Sequence, residues 1–265
     1  MPLITRLMLQ NFKKFPELDL RFSNDRNILV GDNESGKSTI LLALDLVLSD
    51  SRHRIATHSS HISSRLDLRK AILLGATRPV LMNELSAETA AFFMKAPDNN
   101  VLEFALARRV LLVEGDAEFI LIEAFYHRLY GRAPEDDGVH IIAIGGTSFR
   151  RYLELARLLE NRVAALRDND GNYQQNCDER YADVLCSRSR VFADHDNSRS
   201  TFEICLYQDN ADLCDALFRG TRRTLTVQDY MLANKAEAAF QLLQLHAEKL
   251  TVPDYIQEAL AWIRE

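Results

Sequence analysis

Residues 3 to 10 alternate, with Leu3, Thr5, Leu7 and Leu9 against Ile4, Arg6, Met8 and Gln10, as a half-buried strand does. Short strands are predicted next at residues 18–22 and 28–30. From Lys37 to about Leu48 the spacing becomes helical and places Ile40, Leu41, Ala43, Leu44, Leu46 and Val47 on the buried side. Residues 65–74 and 77–82 read as further strands, and 85–93 and 100–107 as helices separated by Pro97-Asp98-Asn99-Asn100. Val110-Leu111-Leu112-Val113 is an unbroken apolar run, the pattern of a strand buried on both faces, and it stops at Glu114-Gly115. Gly115 is expected to allow a tight turn. Asp116 is expected to cap a helix with Phe119, Ile122 and Leu129 among its apolar positions. A surface loop at 131–138 precedes a buried strand at 139–144, a helix from Phe149 through the 152–160 stretch, and a strand at 163–167. This alternation makes right-handed parallel crossovers, and so an α/β fold with a mostly parallel sheet, the default. Beyond Asp170 the pattern is less regular. It suggests a helix over 177–185, a short strand at 191–192 and an amphipathic helix from Pro253 with Ile256, Leu260 and Ile263 on one face.

A chain of 265 residues can hold one large domain or two small ones. Its 47% hydrophobic and 26% charged content is that of a soluble globular protein. No apolar run has membrane-spanning length and no signal-peptide layout opens the chain, so a cytoplasmic protein with no membrane partner is expected. Cys177, Cys186, Cys205 and Cys214 lie too far apart for a zinc ribbon and read as reduced thiols. A net charge of −6 argues weakly against nucleic acid, but an acidic chain can still meet it through local basic patches. The segments 65–70, Arg150-Arg151 and 219–223 are candidates for that role, or are simply solvated.

Two strand ends carry the candidate chemistry. Glu114 ends one strand, with Glu118 a helical turn beyond it, and Asp168-Asn169-Asp170-Gly171 ends another. Open α/β sheets place ligands at such carboxyl ends. Carboxylates gathered there would repel one another unless divalent cations were bound. A third motif, Gly31-Asp32-Asn33-Glu34-Ser35-Gly36-Lys37-Ser38-Thr39, fits G-x-x-x-x-G-K-[ST] between a strand and a helix. Its glycines would let backbone N–H groups face phosphates, Lys37 would reach the outer phosphates and Ser38 would ligate Mg²⁺. A plain glycine-rich turn is the alternative.

The Glu-Gly strand end, the Asp-x-Asp turn and the roughly fifty residues between them resemble the Toprim domain. Ile144-Gly145-Gly146-Thr147-Ser148-Phe149 and the helix after it are similar to the OLD (overcoming lysogenization defect) nucleases. The stretch from Asn11 to Leu41 resembles the opening of an ABC-type ATPase head of the recombination-repair and SMC kind. Ile55-Ala56-Thr57-His58 resembles the switch-histidine loop that ends such a head. No Walker B strand and no Ser-Gly-Gly signature stand between them, which implies that the middle of the ATPase is missing near residues 50–54, by evolution or by design. His58 and His61 read otherwise as incidental loop residues. The expected division is a shortened P-loop ATPase head at 1–107 and a Rossmann-like Toprim domain at 108–265.

By this resemblance Glu114, Glu118, Asp168, Asp170 and Glu203, the last in Thr201-Phe202-Glu203, bind two Mg²⁺ or Mn²⁺ ions. Lys235, on a helix read over 231–239, faces the scissile phosphate, and Glu114 is the favoured general base. Gly31, Asn33, Gly36, Lys37, Ser38, Thr39 and His58 would hold ATP if it binds. The loop Asp194-His195-Asp196 is a weaker metal candidate, since acidic loops are usually just solvated. The implied function is that of a DNA endonuclease or nickase, as a homodimer or with a partner ATPase. The alternative is a module that binds nucleotide or DNA without cutting and acts with a partner ATPase.

Overall fold

A computed structural model of the chain describes residues 4–23, 27–32, 35–47, 55–57, 71–74, 79–81, 84–95, 100–145, 148–220 and 224–265. They form two compact units, Met1–Arg108 with Glu154–Asn161, and Arg109–Leu153 with Arg162–Glu265. Asn33, His58, His61, residues 50–54 and the whole 65–70 basic segment lie outside the described residues.

In the first unit β1 (Arg6–Phe12) and β2 (Phe15–Arg21) make an antiparallel hairpin that pairs Leu7 with Leu20 and Leu9 with Leu18. The period-two pattern turns these four leucines inward. β2 starts earlier than the sequence suggests because Lys13 takes a left-handed conformation (φ 52°) and closes the turn at once. A second sheet has the order β4 (Ile55–Thr57), β3 (Ile28–Val30), β5 (Ala71–Leu74), β6 (Pro79–Leu81). Its first three strands are parallel and the last is antiparallel. The helix α1 (Lys37–Val47) buries Ile40, Ala43 and Leu44, while Leu41 is only partly buried. Two helices follow, α2 (Ala87–Lys95) and α3 (Val101–Leu106). The Glu154 carboxylate accepts from Ser86 N and Thr89 Oγ1, both at 2.6 Å, so an anion sits at the start of α2 where the helix dipole favours one.

The second unit is built on a parallel sheet with the order β10 (Ser189–Phe192), β9 (Arg162–Leu166), β7 (Arg109–Val113), β8 (Val139–Ala143). β7 and β9 are its inner strands, and Val110–Val113 and Val163–Ala165 are fully buried, as their unbroken apolar runs predict. Around the sheet run α4 (Asp116–Tyr130), α5 (Phe149–Leu159), α6 (Phe202–Asp209), α7 (Ala211–Phe218), α8 (Val227–Ala233), α9 (Lys235–His246) and α10 (Asp254–Arg264). α10 turns Ile256, Leu260 and Ile263 inward as expected.

Five local expectations are corrected. Asp116 is the first residue of α4; the N-cap is Gly115, which makes no side-chain cap. Gly115 is extended (φ −142°), so the turn does not use glycine's left-handed freedom. Phe119 is 49% exposed, because the buried stripe of α4 runs through Glu118, Leu121, Ile122 and Phe125, one position away. The helix read over 177–185 is instead a π-helical segment, Gln174–Glu179, and the one read over 231–239 breaks at Asn234 between α8 and α9.

Candidate active site

β7 and β9 are neighbours in parallel register, with Leu112 opposite Ala165. Their carboxyl ends therefore emerge side by side, and Glu114 arrives next to Arg167, Asp168 and the turn beyond them. That turn is fixed by Asn169, which is 1% exposed. Its Nδ2 donates to Asp194 O (2.8 Å) and Asp196 O (3.0 Å), and its Oδ1 accepts from Gly171 N (2.8 Å). The last bond is an Asx-turn, and it lets Asp170 and Gly171 sit at φ 49° and 79°. Asp168 Oδ1 accepts from Phe202 N at 2.8 Å, which ties the strand end to the first turn of α6. Thr201 caps that helix, its hydroxyl accepting from Ile204 N, and Glu203 in the first turn is thereby aimed inward and 3% exposed. Lys235, at the start of α9, places Nζ 2.9 Å from Glu203 Oε2. The distance is that of an ion pair, although Oε2 accepts no well-aligned hydrogen bond.

Three of these acids repel one another. Burial, then the charges of Glu203 and Glu114, push the Glu118 carboxyl up to about 7. For Asp168 burial comes first, followed by Glu118, Glu114 and Glu203, and its carboxyl is pushed up to about 8. Burial works against the Lys235 ammonium, but Glu203, Asp168 and Glu118 outweigh it and hold its proton more tightly than usual. Glu118, Asp168, Glu203 and Lys235 thus form one coupled group drawn from α4, the end of β9, α6 and α9.

The other two acids are held differently. The Arg167 guanidinium, buried beneath the turn, donates from Nη1 to Glu114 and from Nη2 to Asp170 Oδ2 at 3.0 Å. It also lies 5.7 Å from the centre of the Phe149 ring. Sequence reading missed Arg167. The available signal was a cation directly between a buried apolar run and an Asp-x-Asp turn. Arg167 thereby occupies Glu114, the acid expected as general base.

The donor set tests the expected metal. Its oxygens are all carboxylate, and with their protons displaced they would carry more negative charge than Lys235 offsets, as a hard divalent ion requires. Yet among the described residues no three His, Cys, Asp or Glu side chains converge closely enough to hold an ion as they stand. Glu118, Asp168 and Glu203 are left clear of Arg167, which occupies Glu114 and Asp170. The Asp194–Asp196 loop offers no second site: Asp194 is paired with Arg199 at 2.6 Å and Asp196 accepts from Ser198.

In the first unit the P-loop lysine is folded back, Lys37 Nζ donating to the Gly31 and Asp32 carbonyls of its own loop. Gly36 is required there: its φ is 93°, and a Cβ would overlap the Phe15 ring. Ser38 and Thr39 open α1 beside it. Arg150 is paired with Asp183, Arg219 lies beyond α7, and residues 221–223 are outside the described set. All four cysteines are free thiols. Among the described residues no helix is long and apolar enough to cross a membrane.

Residues 106–170 match the family model "Overcoming lysogenization defect protein-like, TOPRIM domain", and residues 6–80 match that of an AAA domain. Among solved structures, the chain is similar to the C-terminal region of the Xanthomonas campestris pv. campestris OLD protein, with 23% identity, a TM-score of 0.45, and coverage of 60% of this chain and 94% of that one. The C-terminal region of the Burkholderia pseudomallei OLD protein gives 22% identity, a TM-score of 0.44, and coverage of 60% and 97%. No curated protein matches the sequence. The chain thus carries a segment that matches an OLD-like Toprim domain behind a segment that matches an AAA-type domain.

Proposed function

We propose that this chain is a metal-dependent DNA endonuclease or nickase, acting in the cytoplasm on phosphodiester bonds. The Toprim match supports a nuclease-type function. The observation that carries the finer reading is the group of Glu118, Asp168 and Glu203, whose mutual repulsion the Lys235 ammonium partly offsets. Such an arrangement costs stability and is retained where the charge is used. A bound Mg²⁺ or Mn²⁺ would supply Lewis acidity to the phosphate and lower the pKa of an attacking water. The chain's own part is to hold that ion through Glu118, Asp168 and Glu203, with Asp168 locked by Phe202 N and its turn locked by Asn169. Lys235, at the edge of the acids, offers the scissile phosphate a point cation.

The test is cleavage of supercoiled plasmid by the whole chain with Mg²⁺ or Mn²⁺, with and without EDTA and ATP. Nicked or linear product that EDTA removes, and that Glu118→Ala and Asp168→Ala abolish, is the expected result. Equal cleavage by wild type and both variants would refute the reading. A second reading, a binding module that acts with a partner ATPase, is favoured by the pairing of Glu114 and Asp170 with Arg167 rather than with an open ligand set. Metal-dependent DNA binding without product on any substrate would select it. The P-loop suits nucleotide binding in either case.

A further inference from the structure

We infer that Arg167 takes the place of one of the two divalent ions expected at this site, so that the chain binds a single Mg²⁺ or Mn²⁺ there. The inference rests on the metal-dependent reading above and concerns how many ions bind and where. Five carboxylates divide into two sets. Glu114 and Asp170 share one guanidinium, each accepting from a different nitrogen, Asp170 at 3.0 Å. Glu118, Asp168 and Glu203 share no such partner; among the described residues the cation beside them is the Lys235 ammonium, 2.9 Å from Glu203.

Arg167 is poorly placed to yield to an incoming ion. A guanidinium stays charged at any pH the protein meets, and its planar fork suits two carboxylates at once. Its side chain is 6% exposed, and Nε has no hydrogen-bond partner among the described residues. Leaving Glu114 and Asp170 would therefore strand a buried charge, the costly case for a broken ion pair. An ion entering between those two carboxylates with Arg167 in place would meet a fixed positive charge a few ångströms away, at low effective dielectric. The remaining acids face the opposite situation, since Arg167 pairs with none of them and the Lys235 ammonium lies against Glu203 alone, at 2.9 Å.

The test is a Mn²⁺ titration of the whole, nucleotide-free chain, with free ion followed by electron paramagnetic resonance. Wild type should bind one ion tightly. Arg167→Lys, which keeps the charge, should also bind one, and Arg167→Met, which removes it, should bind two. Two ions on wild type, or one on a folded Arg167→Met, would overturn the inference. Should Arg167→Met fail to fold, the ligand variants decide. Glu118→Gln and Glu203→Gln should weaken the ion at least about tenfold while Asp170→Asn leaves it little changed. Equal weakening by all three would overturn the inference. No Mn²⁺ on wild type would end the metal-dependent reading itself, whereas two ions would leave that reading standing.

Discussion

Raising the pH without metal should destabilise the unit that carries the acids. Glu118 and Asp168 are held protonated by burial and by their neighbours, with pKa values pushed up to about 7 and about 8. A folded-state pKa above the unfolded one contributes stability that is complete below the unfolded value, near pH 4, and is lost as pH climbs through the folded value. The loss should therefore begin above pH 4, steepen towards pH 7 and level off beyond pH 8. At about 1.4 kcal/mol per pH unit and per proton, each acid alone would account for several kcal/mol. The two share the same repulsion, so their contributions overlap, and a combined loss of roughly 3–6 kcal/mol is expected. At ~2–4 °C per kcal/mol this lowers the thermal midpoint by about 10 °C or more between pH 5 and pH 9. Mg²⁺ must displace those protons to bind, so the stabilisation it gives should be small near pH 5 and large near pH 8.5. The assay is thermal unfolding followed by circular dichroism in EDTA and in excess Mg²⁺ across that range. Glu118→Gln, which removes one of the two charges, should flatten the metal-free curve. A midpoint that is flat or rising with pH in EDTA, or an equal Mg²⁺ increment at both ends, would refute the reasoning.

Asn169→Ala removes three well-formed bonds of a fully buried amide and should cost about 2–4 kcal/mol, measured by urea unfolding. A change below about 0.5 kcal/mol would show that the turn does not depend on it. Lys37→Ala should leave nucleotide-free stability within about 1 kcal/mol, since the lysine only turns back on its own carbonyls, and should abolish any rise in thermal midpoint that ATP gives wild type. An ATP-induced rise that survives the substitution would remove the P-loop from the account.

Much of the site was legible in the sequence because its positions are set by buried strands. Four-residue apolar runs fixed where β7 and β9 end, and a parallel sheet then brings Glu114 beside Asp168. Glu203 was picked out by the resemblance of Thr201-Phe202-Glu203 to the OLD nucleases, and the Thr201 N-cap is what sets it in the first turn of α6. The misses have a common origin. Arg167 reads as a strand-end residue that should snorkel to water, and only the lateral pairing of β7 with β9 gives it two carboxylates. Phe119 sits one position off the buried stripe of α4, and period alone does not say which edge of a stripe faces inward. Asn234 was read through because a helix that stops and restarts at one residue keeps its apolar spacing almost intact.

The central claim is that acids distant in sequence act as one unit on a phosphodiester, and single-turnover plasmid cleavage by wild type, Glu118→Gln, Asp168→Asn and the double variant tests it most directly. Groups that work as a unit are lost together, so each single variant should be severely slowed and the double no slower than the worse single. A double variant slowed by the product of the two single effects, or either single variant cutting at the wild-type rate, would contradict it.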